Sequence, residues 1–569
     1  MATQQAPSRW TKLINFAILF VVSASVVWGG SGKLSPDLQN ATTAQDVIVQ
    51  FTPSADSSFF NTILGKGGTL SKKFKHFHGA RFTLPPVVLK WLALDPRVRY
   101  ISAVRRIQGR MEFANPAVNA NIALQYGWDG TGIGVAVLDS GIAAHPDLNN
   151  ANGQSRVVYS QSFVDGDSST NDAYGHGTHV AGIIGGNASQ SSGPGFQYSF
   201  RGIAPNANLI DLRVLDANGM GTDADAIAGI DAAIDLQNQY NIRVLNISFG
   251  RGIFESYTQD PLCQAVEAAW NAGIVVVVAA GNDGRDNSMG TSGYSTIGAP
   301  GNDPFVITVG AMNDEGTASR GDDLMTTYSS KGPTINDQVV KPDIVAPGNA
   351  ITSLLAPNST LSQQYPGNVV PTSFYQGSAT AVPNQYFTLN GTSMATPMVS
   401  GAAALMLQQD PTLSPDTVKA RLMISATKNF PASSDICDST VNQCFTVNYD
   451  LFTVGAGYLD VWGALNANNV VPAGSNMASA SVTVDSSGNV TLVAPNNVVW
   501  GTNVVWGTNV VWGTNVVWGT NVVWGTNVVW GTNVVWGTSS MAGYNVVRGT
   551  NVVWGTNSMF VTSIESQGD

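Results

Sequence analysis

Residues 391–397 read Gly-Thr-Ser-Met-Ala-Thr-Pro and open a run of small and apolar residues, 398–407. That composition predicts a buried helix, with Pro397 in its first turn, where a missing N–H costs nothing. Ser393 is then expected at a helix N-terminus, beside unpaired backbone N–H groups and the positive end of the helix dipole. The position suits a nucleophile whose attack creates an oxyanion, although for a lone serine an N-cap is the simpler interpretation.

Two upstream blocks contain the groups that a serine nucleophile needs, namely a base and an anion that orients the base. His176 lies in Gly-His-Gly-Thr-His-Val-Ala-Gly, 175–182, ahead of another small-residue helix. Asp139 follows an apolar run, 132–138, that is typical of a buried strand. The carboxyl end of such a strand is where parallel α/β sheets present active-site groups.

In the order Asp139, His176, Ser393, the three blocks resemble those of the subtilisin-like serine proteases, the subtilases. The resemblance implies that Ser393 attacks, that His176 is its base and that Asp139 orients the imidazole. By the same similarity Asn282, at the end of the apolar strand 275–280, is the side-chain half of an oxyanion hole. The implied activity is that of a serine endopeptidase acting on polypeptides, whose chemistry requires no cofactor.

The resemblance also implies a substrate cleft. Two stretches are expected to pair with an extended peptide backbone, and a third is expected to wall the pocket for the side chain before the scissile bond. These residues are Gly219, Met220 and Gly221; Ser248, Phe249 and Gly250; and 295–300, with Gly298 at the pocket floor. A glycine floor predicts a preference for large apolar or aromatic side chains. Asp283 at the rim would also accept a basic one, and 285–289 looks like an insertion relative to the family.

Strand-like and helical runs alternate through 116–470, the predicted catalytic domain. That alternation predicts an α/β fold with a parallel sheet and helices on both faces, and the family resemblance implies a largely parallel, doubly wound core. The predicted strands are 133–138, 209–214, 244–248, 274–280 and 306–309, and the predicted helices are 223–240 and 260–272.

The N-terminal region predicts export and processing. Residues 1–30 combine Arg9 and Lys12 with an apolar run and a small-residue exit, which indicates a secretory signal peptide or, alternatively, an uncleaved anchor. Residues 45–110 predict an α+β unit with strands 46–51, 79–85 and 98–104 and a helix at 87–94. This unit resembles the inhibitory propeptide that subtilases remove by self-cleavage, here between about 106 and 116; a plain extra domain is the alternative.

Charge and cysteine content agree with a secreted protein. The net charge of −11 and the pI near 4.8 argue against a nucleic-acid partner. Basic residues cluster in 66–110 while the remainder is acidic, as expected of a propeptide that docks on its own protease. Cys437 and Cys444 are close enough in sequence to form a disulfide, which leaves Cys263 as a small core residue of its helix.

Metal binding is an open expectation. Subtilases commonly bind structural calcium, and Asp147, Asn149, Asp216 and Asp223 are candidate oxygen ligands. The loop 187–200 does not match the family's best-known calcium loop, so no ligand is assigned there. His179, one helical turn after His176, is expected to pack within the helix rather than to bind a metal, because no glutamate-containing zinc signature accompanies it.

Beyond 470 the composition changes. A strand pair is predicted within 475–495, and the hexapeptide Asn-Val-Val-Trp-Gly-Thr then repeats through 497–556. The repeats predict either a stack of short strands or a flexible, aggregation-prone tail. Repeated tryptophan suggests a surface for cell envelope or glycan. Two rival functions stay open. The repeats suggest an adhesive protein with an inactive protease scaffold, and the triad would also serve an esterase.

Overall fold

The computed structural model describes residues 33–34, 38, 41–52, 56–73, 79–103, 111–376, 383–438, 443–484, 490–493, 528–529, 535–536 and 558–560. The chain divides into two compact units, Met1–Ile107 and Gln108–Asp569. The predicted signal peptide and most of the hexapeptide repeats lie outside the described residues. Among the helices that are described, none has the length and apolar character needed to span a bilayer.

The first unit is a four-stranded antiparallel sheet with two helices. Its elements are β1 (Gln45–Phe51), α1 (Ser57–Gly65), β2 (Thr69–Lys73), β3 (Gly79–Leu84), α2 (Pro86–Leu94) and β4 (Val98–Ala103). The strand order is β2-β3-β1-β4, and the pairs are antiparallel. The three predicted strands and the helix α2 are therefore present.

Two elements of this unit, α1 and β2, were not predicted. Helix α1 has Asp56 as its N-cap, whose side chain accepts a 3.0 Å hydrogen bond from the N–H of Phe59. Phe59 and Ile63, four residues apart, are both fully buried. An N-cap followed by an i, i+4 apolar pair is a recognisable helix signal, so this helix could have been predicted.

The second unit is an α/β domain. Its first half contains α3 (Met111–Ala117), α4 (Ala120–Gln125), β5 (Gly134–Asp139), β6 (Val157–Ser162), α5 (His176–Gly185), β7 (Asn208–Arg213), β8 (Met220–Thr222), α6 (Asp223–Asp235), α7 (Gln237–Tyr240), β9 (Ile242–Ile247), α8 (Pro261–Asn271) and β10 (Val275–Ala279). Its second half contains β11 (Ile307–Asn313), β12 (Leu324–Met325), β13 (Ile344–Pro347), β14 (Ile351–Leu354), α9 (Thr360–Gln364), β15 (Val369–Val370), α10 (Thr372–Tyr375), β16 (Tyr386–Leu389), α11 (Thr392–Gln409), α12 (Pro415–Ser425), β17 (Ser433–Asp438), β18 (Gln443–Asn448), α13 (Leu451–Val454) and α14 (Val461–Asn466).

An eight-stranded sheet forms the core of this unit. Seven strands follow the order β12-β11-β10-β9-β5-β7-β6, and the eighth, β13, pairs with β11. All of its pairs are parallel except β11–β12. Strands β5 and β10 are buried along their whole length, as the apolar runs predict for strands covered on both faces. The predicted α/β class with a largely parallel sheet is confirmed, and the sheet is mixed because β12 runs antiparallel.

The predicted helix at 223–240 is wrong in one respect. It is interrupted at Leu236 and forms two helices, α6 and α7. Thr222 and Asp225 form a capping box at the start of α6, each side chain bonding the backbone N–H of the other residue. The helix α8 matches the prediction at 260–272 within one residue at each end.

The described residues from Ser433 onwards form short strand pairs in addition to α13 and α14. Cys437 and Cys444 form the predicted disulfide across the β17–β18 hairpin, and Cys263 is free and buried. The predicted strand pair within 475–495 forms as β19 (Ser481–Val484) and β20 (Val490–Val493). Ser479 donates a hydrogen bond to Asp343 in the core, so the packed unit extends beyond residue 470. The remaining strands are β21 (Val528–Val529), β22 (Val535–Trp536) and β23 (Ser558–Phe560), of which β21 and β22 pair within the repeats.

Candidate active site

Ser393 is the second residue of α11, which begins directly after Gly391. Gly391 has φ +146°, a backbone conformation that residues with a Cβ rarely adopt. Ser393 is 2% exposed, and its Oγ donates a 2.7 Å hydrogen bond to the carbonyl of Ser248. The predicted location of this serine at a helix N-terminus is confirmed.

The prediction for Pro397 was wrong, because this proline is the sixth residue of α11 and not part of its first turn. An N–H at that position would bond the carbonyl of Ser393, four residues earlier. The Oγ of Ser248 donates to this carbonyl at 3.0 Å instead. Ser393 and Ser248 therefore exchange two hydrogen bonds, one of which replaces the bond that an N–H at position 397 would make.

Asp139 and His176 form a buried pair. Asp139 ends β5, His176 begins α5, and Asp139 Oδ1 lies 2.8 Å from His176 Nδ1. Their exposed fractions are 1% and 0%, and Asp139 Oδ1 also accepts a 2.8 Å bond from the N–H of Ser140. A carboxylate at Nδ1 fixes the proton on that nitrogen, which leaves Nε2 as the basic nitrogen. Nε2 is buried and makes no hydrogen bond in this state.

Asp172, which the sequence analysis did not single out, holds the start of α5 in place. Its carboxylate accepts four hydrogen bonds of 2.6–2.8 Å, from Ser140 Oγ, the Gly175 N–H and both the N–H and Oγ1 of Thr178. Ser140 Oγ in turn accepts from the N–H of Gly177. Burial raises the pKa of Asp172, and the four donors oppose that rise. No N-cap signal marks this role, because the N-cap position of α5 is Gly175 and Asp172 lies three residues before it.

Asn282 lies directly beside the start of α11. Its Oδ1 accepts hydrogen bonds from the N–H of Thr392 at 2.9 Å and from Thr392 Oγ1 at 3.0 Å. With the oxygen occupied in this way, the amide nitrogen Nδ2 is directed to the other side. A Cβ built on Gly391 would lie 3.1 Å from that nitrogen. Asn282, 6% exposed, is thus oriented by Thr392, a second residue that the sequence analysis did not single out.

The predicted cleft residues lie on two stretches of backbone. Met220 and Gly221 belong to β8, and Gly219 is the residue before it. Gly219 packs closely against the ring of Tyr174, since a Cβ added to Gly219 would lie 2.5 Å from that ring. Ser248, Phe249 and Gly250 follow β9. The side chain of Phe249 is fully buried in the core, so only its backbone is available to a ligand.

The predicted pocket segment packs beside the second of these stretches. Arg251 and Ala299 exchange backbone hydrogen bonds of 2.8 and 2.9 Å. A Cβ on Gly298 would lie 2.9 Å from the Arg251 carbonyl, and one on Gly250 would lie 3.0 Å from the Ala299 carbonyl. Both glycines therefore permit the close approach of these two segments. Asp283 is exposed, and its position at the rim of a pocket stays a prediction.

The calcium candidates do not form one cage of oxygens. Asp147 is already satisfied by Ser189 Oγ, the Gln190 N–H and the Tyr386 hydroxyl, at 2.7–2.8 Å. Asp223 forms a 2.8 Å ion pair with Arg251. Asp216 accepts bonds within its own turn, and Asn149 accepts one from Asn187 through its backbone carbonyl. In the part of the chain that the structure describes, no three His, Cys, Asp or Glu side chains converge, and calcium binding by these four residues stays a prediction.

His179 has a structural environment. Its Nε2 lies 3.1 and 3.0 Å from the carbonyls of Ile351 and Phe387, which belong to β14 and β16. Burial lowers the pKa of His179 to about 3, so the ring is neutral. The side chain thus ties α5 to a neighbouring sheet.

Comparisons with known proteins agree with this geometry. Residues 130–442 match the peptidase S8 family, described as the subtilase family. The serine protease AprX of Bacillus subtilis (strain 168) is 38% identical over 369 residues, which are 63% of this chain and 76% of that protein. Subtilisin E of the same strain is 32% identical over 426 residues, 73% of this chain and 94% of that protein. The extracellular serine proteinase of Thermus sp. (strain Rt41A) is 31% identical over 416 residues, 71% of this chain and 84% of that protein.

Proposed function

The chain belongs to the subtilase family of serine endopeptidases, and we propose that it hydrolyses peptide bonds through Asp139, His176 and Ser393. The observation that carries this proposal is the buried 2.8 Å pair of Asp139 and His176, together with a serine at the N-terminus of α11. Secretion, self-processing and the roles of individual residues are parts of the same proposal.

In the proposed mechanism, His176 Nε2 removes the proton of Ser393 as Oγ attacks the scissile carbonyl. Asp139 keeps the other ring nitrogen protonated and stabilises the imidazolium that forms. Before substrate binds, Ser393 Oγ donates to Ser248, so the hydroxyl must turn from that carbonyl to His176. Such tightening on substrate binding is usual, because catalytic hydrogen bonds are often unformed in the free enzyme.

The oxyanion is proposed to lie between Asn282 Nδ2 and the backbone N–H of Ser393. Thr392 supports this role because it occupies Oδ1 of the amide and so prevents the acceptor atom from facing the developing negative charge. His176 then gives its proton to the leaving amine, and water repeats the cycle on the acyl-enzyme. In subtilisin, loss of the asparagine donor of such an oxyanion hole costs about 10²–10³ in turnover.

Polypeptide substrates are proposed to pair along Gly219, Met220 and Gly221 and along the backbone of 248–250. The position of β8 outside the eight-stranded sheet supports this arrangement, since an extended peptide pairs with such a strand through main-chain hydrogen bonds. Gly298 is retained as the proposed floor of a pocket for a large apolar side chain. The esterase alternative is disfavoured because an ester requires no such strand pairing.

The first unit is proposed to be a propeptide that the enzyme removes from itself after secretion. Its βαββαβ order and its basic composition support this proposal. No specific observation favours the adhesive alternative, and binding of envelope or glycan by the tryptophan repeats stays a hypothesis.

Mass spectrometry of the purified chain beside two variants tests the proposed function. Wild type and Ser168→Ala, an exposed serine that serves as the control, should lose the residues up to around 110 and should react with a fluorophosphonate. Ser393→Ala should keep its full length and remain unlabelled. Processing and labelling of pure Ser393→Ala at the wild-type level would refute the assignment of the nucleophile.

A further inference from the structure

The edge of β8 is occupied by the chain's own C-terminal region. Strand β23 pairs with it in antiparallel register, Ser558 opposite Thr222, Met559 opposite Gly221 and Phe560 opposite Met220. These two strands form a sheet of their own, separate from the eight-stranded sheet. The polar backbone groups on this edge of β8 thus have a partner from within the same chain.

The occupied edge adjoins the active site. Gly219, the residue before β8, packs against the ring of Tyr174, and Tyr174 is two residues from His176. The pKa of Tyr174 is raised to about 12, by burial first and then by the carboxylate of Asp139, which indicates that the tyrosine lies close to the triad. Strand β23 runs from Thr222 towards Met220, and therefore towards the Gly219 end of β8, where Tyr174 lies.

The start of β8 is held rigidly. The N–H of Met220 donates to Asp216 Oδ1 at 2.9 Å and its carbonyl accepts from the N–H of Asp216 at 2.7 Å. At the other end, Thr222 is the N-cap of α6. A strand fixed at both ends loses little conformational entropy when a partner pairs with it, so the edge of β8 that β23 occupies is a preorganised docking site for an extended segment.

We propose that Ser558–Phe560 is an internal competitor that occupies the substrate-pairing edge of β8 and must leave before a long peptide can bind. This proposal rests on the proposed function, because it requires β8 to be part of the substrate cleft. The segment acts reversibly and forms no covalent bond. It blocks the edge strand and leaves the triad itself accessible to small substrates.

The expected inhibition is modest. Three residue pairs form a weak contact, and its strength comes from the tether, which replaces a bimolecular encounter by an intramolecular one at an effective concentration in or below the millimolar range. Occupancy of half to nine-tenths of the molecules corresponds to a KM raised about 2- to 10-fold for peptides that need β8. Because competition is at binding, kcat at saturation is expected to stay unchanged.

The test compares the full chain with a variant that ends at Asn557. Two substrates are used: a peptide with at least four residues before the scissile bond, which reaches β8, and an N-acyl amino acid nitrophenyl ester, which does not. Truncation should lower KM for the peptide about 2- to 10-fold and leave ester hydrolysis unchanged. An equal KM in both forms, with the intact mass of the full chain verified, would overturn the proposal.

Proline variants provide a second test that leaves the chain length unchanged. In an antiparallel pair alternate residues donate to the partner strand, so either Met559 or Phe560 directs its N–H towards β8. At least one of Met559→Pro and Phe560→Pro should reproduce the effect of truncation, while the control Gln567→Pro should not. Wild-type behaviour of both prolines would also overturn the proposal.

Two further outcomes are distinguishable. Inhibition that increases with enzyme concentration would show that the strand comes from a second copy, which overturns the internal assignment. Absence of both peptide and ester hydrolysis in every form, with no fluorophosphonate labelling, would mean that the proposed function has failed, whatever the tail does.

Discussion

At the scale of single residues, the site depends on hydrogen bonds that the catalytic side chains do not make themselves. Pro397 lacks the N–H that would bond the Ser393 carbonyl, and Ser248 Oγ donates to that carbonyl instead. The arrangement links the nucleophile to the strand segment 248–250. The donor to this carbonyl therefore comes from a residue 145 positions away in sequence.

We predict that Ser248→Ala lowers the free energy of unfolding by about 1–3 kcal/mol, because a buried carbonyl loses its donor. In a Pro397→Ala background the cost should be smaller, since the new N–H at 397 can bond the same carbonyl. Equilibrium urea unfolding of the four proteins, in a Ser393→Ala background to prevent self-digestion, measures the coupling. Additive effects of the two substitutions would contradict the shared acceptor.

Thr392 gives a second prediction at this scale. Thr392→Val keeps the shape of the side chain but removes its 3.0 Å hydrogen bond to Asn282 Oδ1, so the amide is oriented less strictly. Loss of one such bond, about 1.4 kcal/mol, corresponds to a roughly tenfold fall in kcat. KM should change little, because the effect belongs to the transition state. The control Thr392→Ser keeps a hydroxyl, and equal kcat values for the two variants would refute this role.

At the scale of elements, the sequence predicted the strands and helices whose own residues carry a local pattern. The strands β5 and β10 were found because uninterrupted apolar runs mark buried strands. Asp139 was found at the end of one such run and His176 at the start of a small-residue helix, whereas the role of Asn282 was implied by the resemblance to the subtilases. Thr392 and Asp172 were not singled out, because their importance lies in their partners. The bonds from Thr392 to Asn282 span 110 residues, a distance over which no local pattern reports contact. Helix α1 is different, since its N-cap signal was present and was overlooked.

The loop between β11 and β12 should make stability depend on pH. Asp314 and Asp323 are both buried, and burial raises the pKa of each to about 7. A carboxyl whose pKa is raised on folding favours the folded state below its unfolded pKa, near 4, and loses that contribution as pH rises through its folded pKa. The two groups therefore reduce stability progressively between about pH 4 and 7.

We predict that the midpoint of thermal unfolding falls less between pH 5 and 8 in Asp323→Asn than in wild type, because one of the two raised carboxyls is gone and the other loses a repelling neighbour. Asp231→Asn, which removes the same charge from an exposed position of α6, is the matched control and should follow wild type. Calorimetry at several pH values measures the midpoint of thermal unfolding of the three proteins. Parallel pH profiles for Asp323→Asn and wild type would exclude this account.

At the scale of the whole molecule, charge is divided unequally along the chain. The unit Met1–Ile107 contains 13 of the 27 Lys and Arg residues but only 4 of the 38 Asp and Glu residues. The remainder of the chain is strongly acidic as a consequence. Opposite net charges accelerate the association of two bodies and favour their complex at low salt, as the proposed propeptide role requires.

The proposed role predicts that a separate polypeptide of residues 33–107 inhibits the processed enzyme. Its inhibition constant should rise about 3- to 30-fold between low and high salt, because the Debye length falls from about 30 Å at 0.01 M to about 3 Å at 1 M. The exposed Lys90 and Arg99 allow a matched comparison. A Lys90→Gln, Arg99→Gln fragment should inhibit more weakly than the parent at low salt and equally at high salt, because only the electrostatic part of the interaction is removed. An inhibition constant independent of salt would show that charge does not drive docking, while absence of inhibition at any salt concentration would exclude the propeptide role.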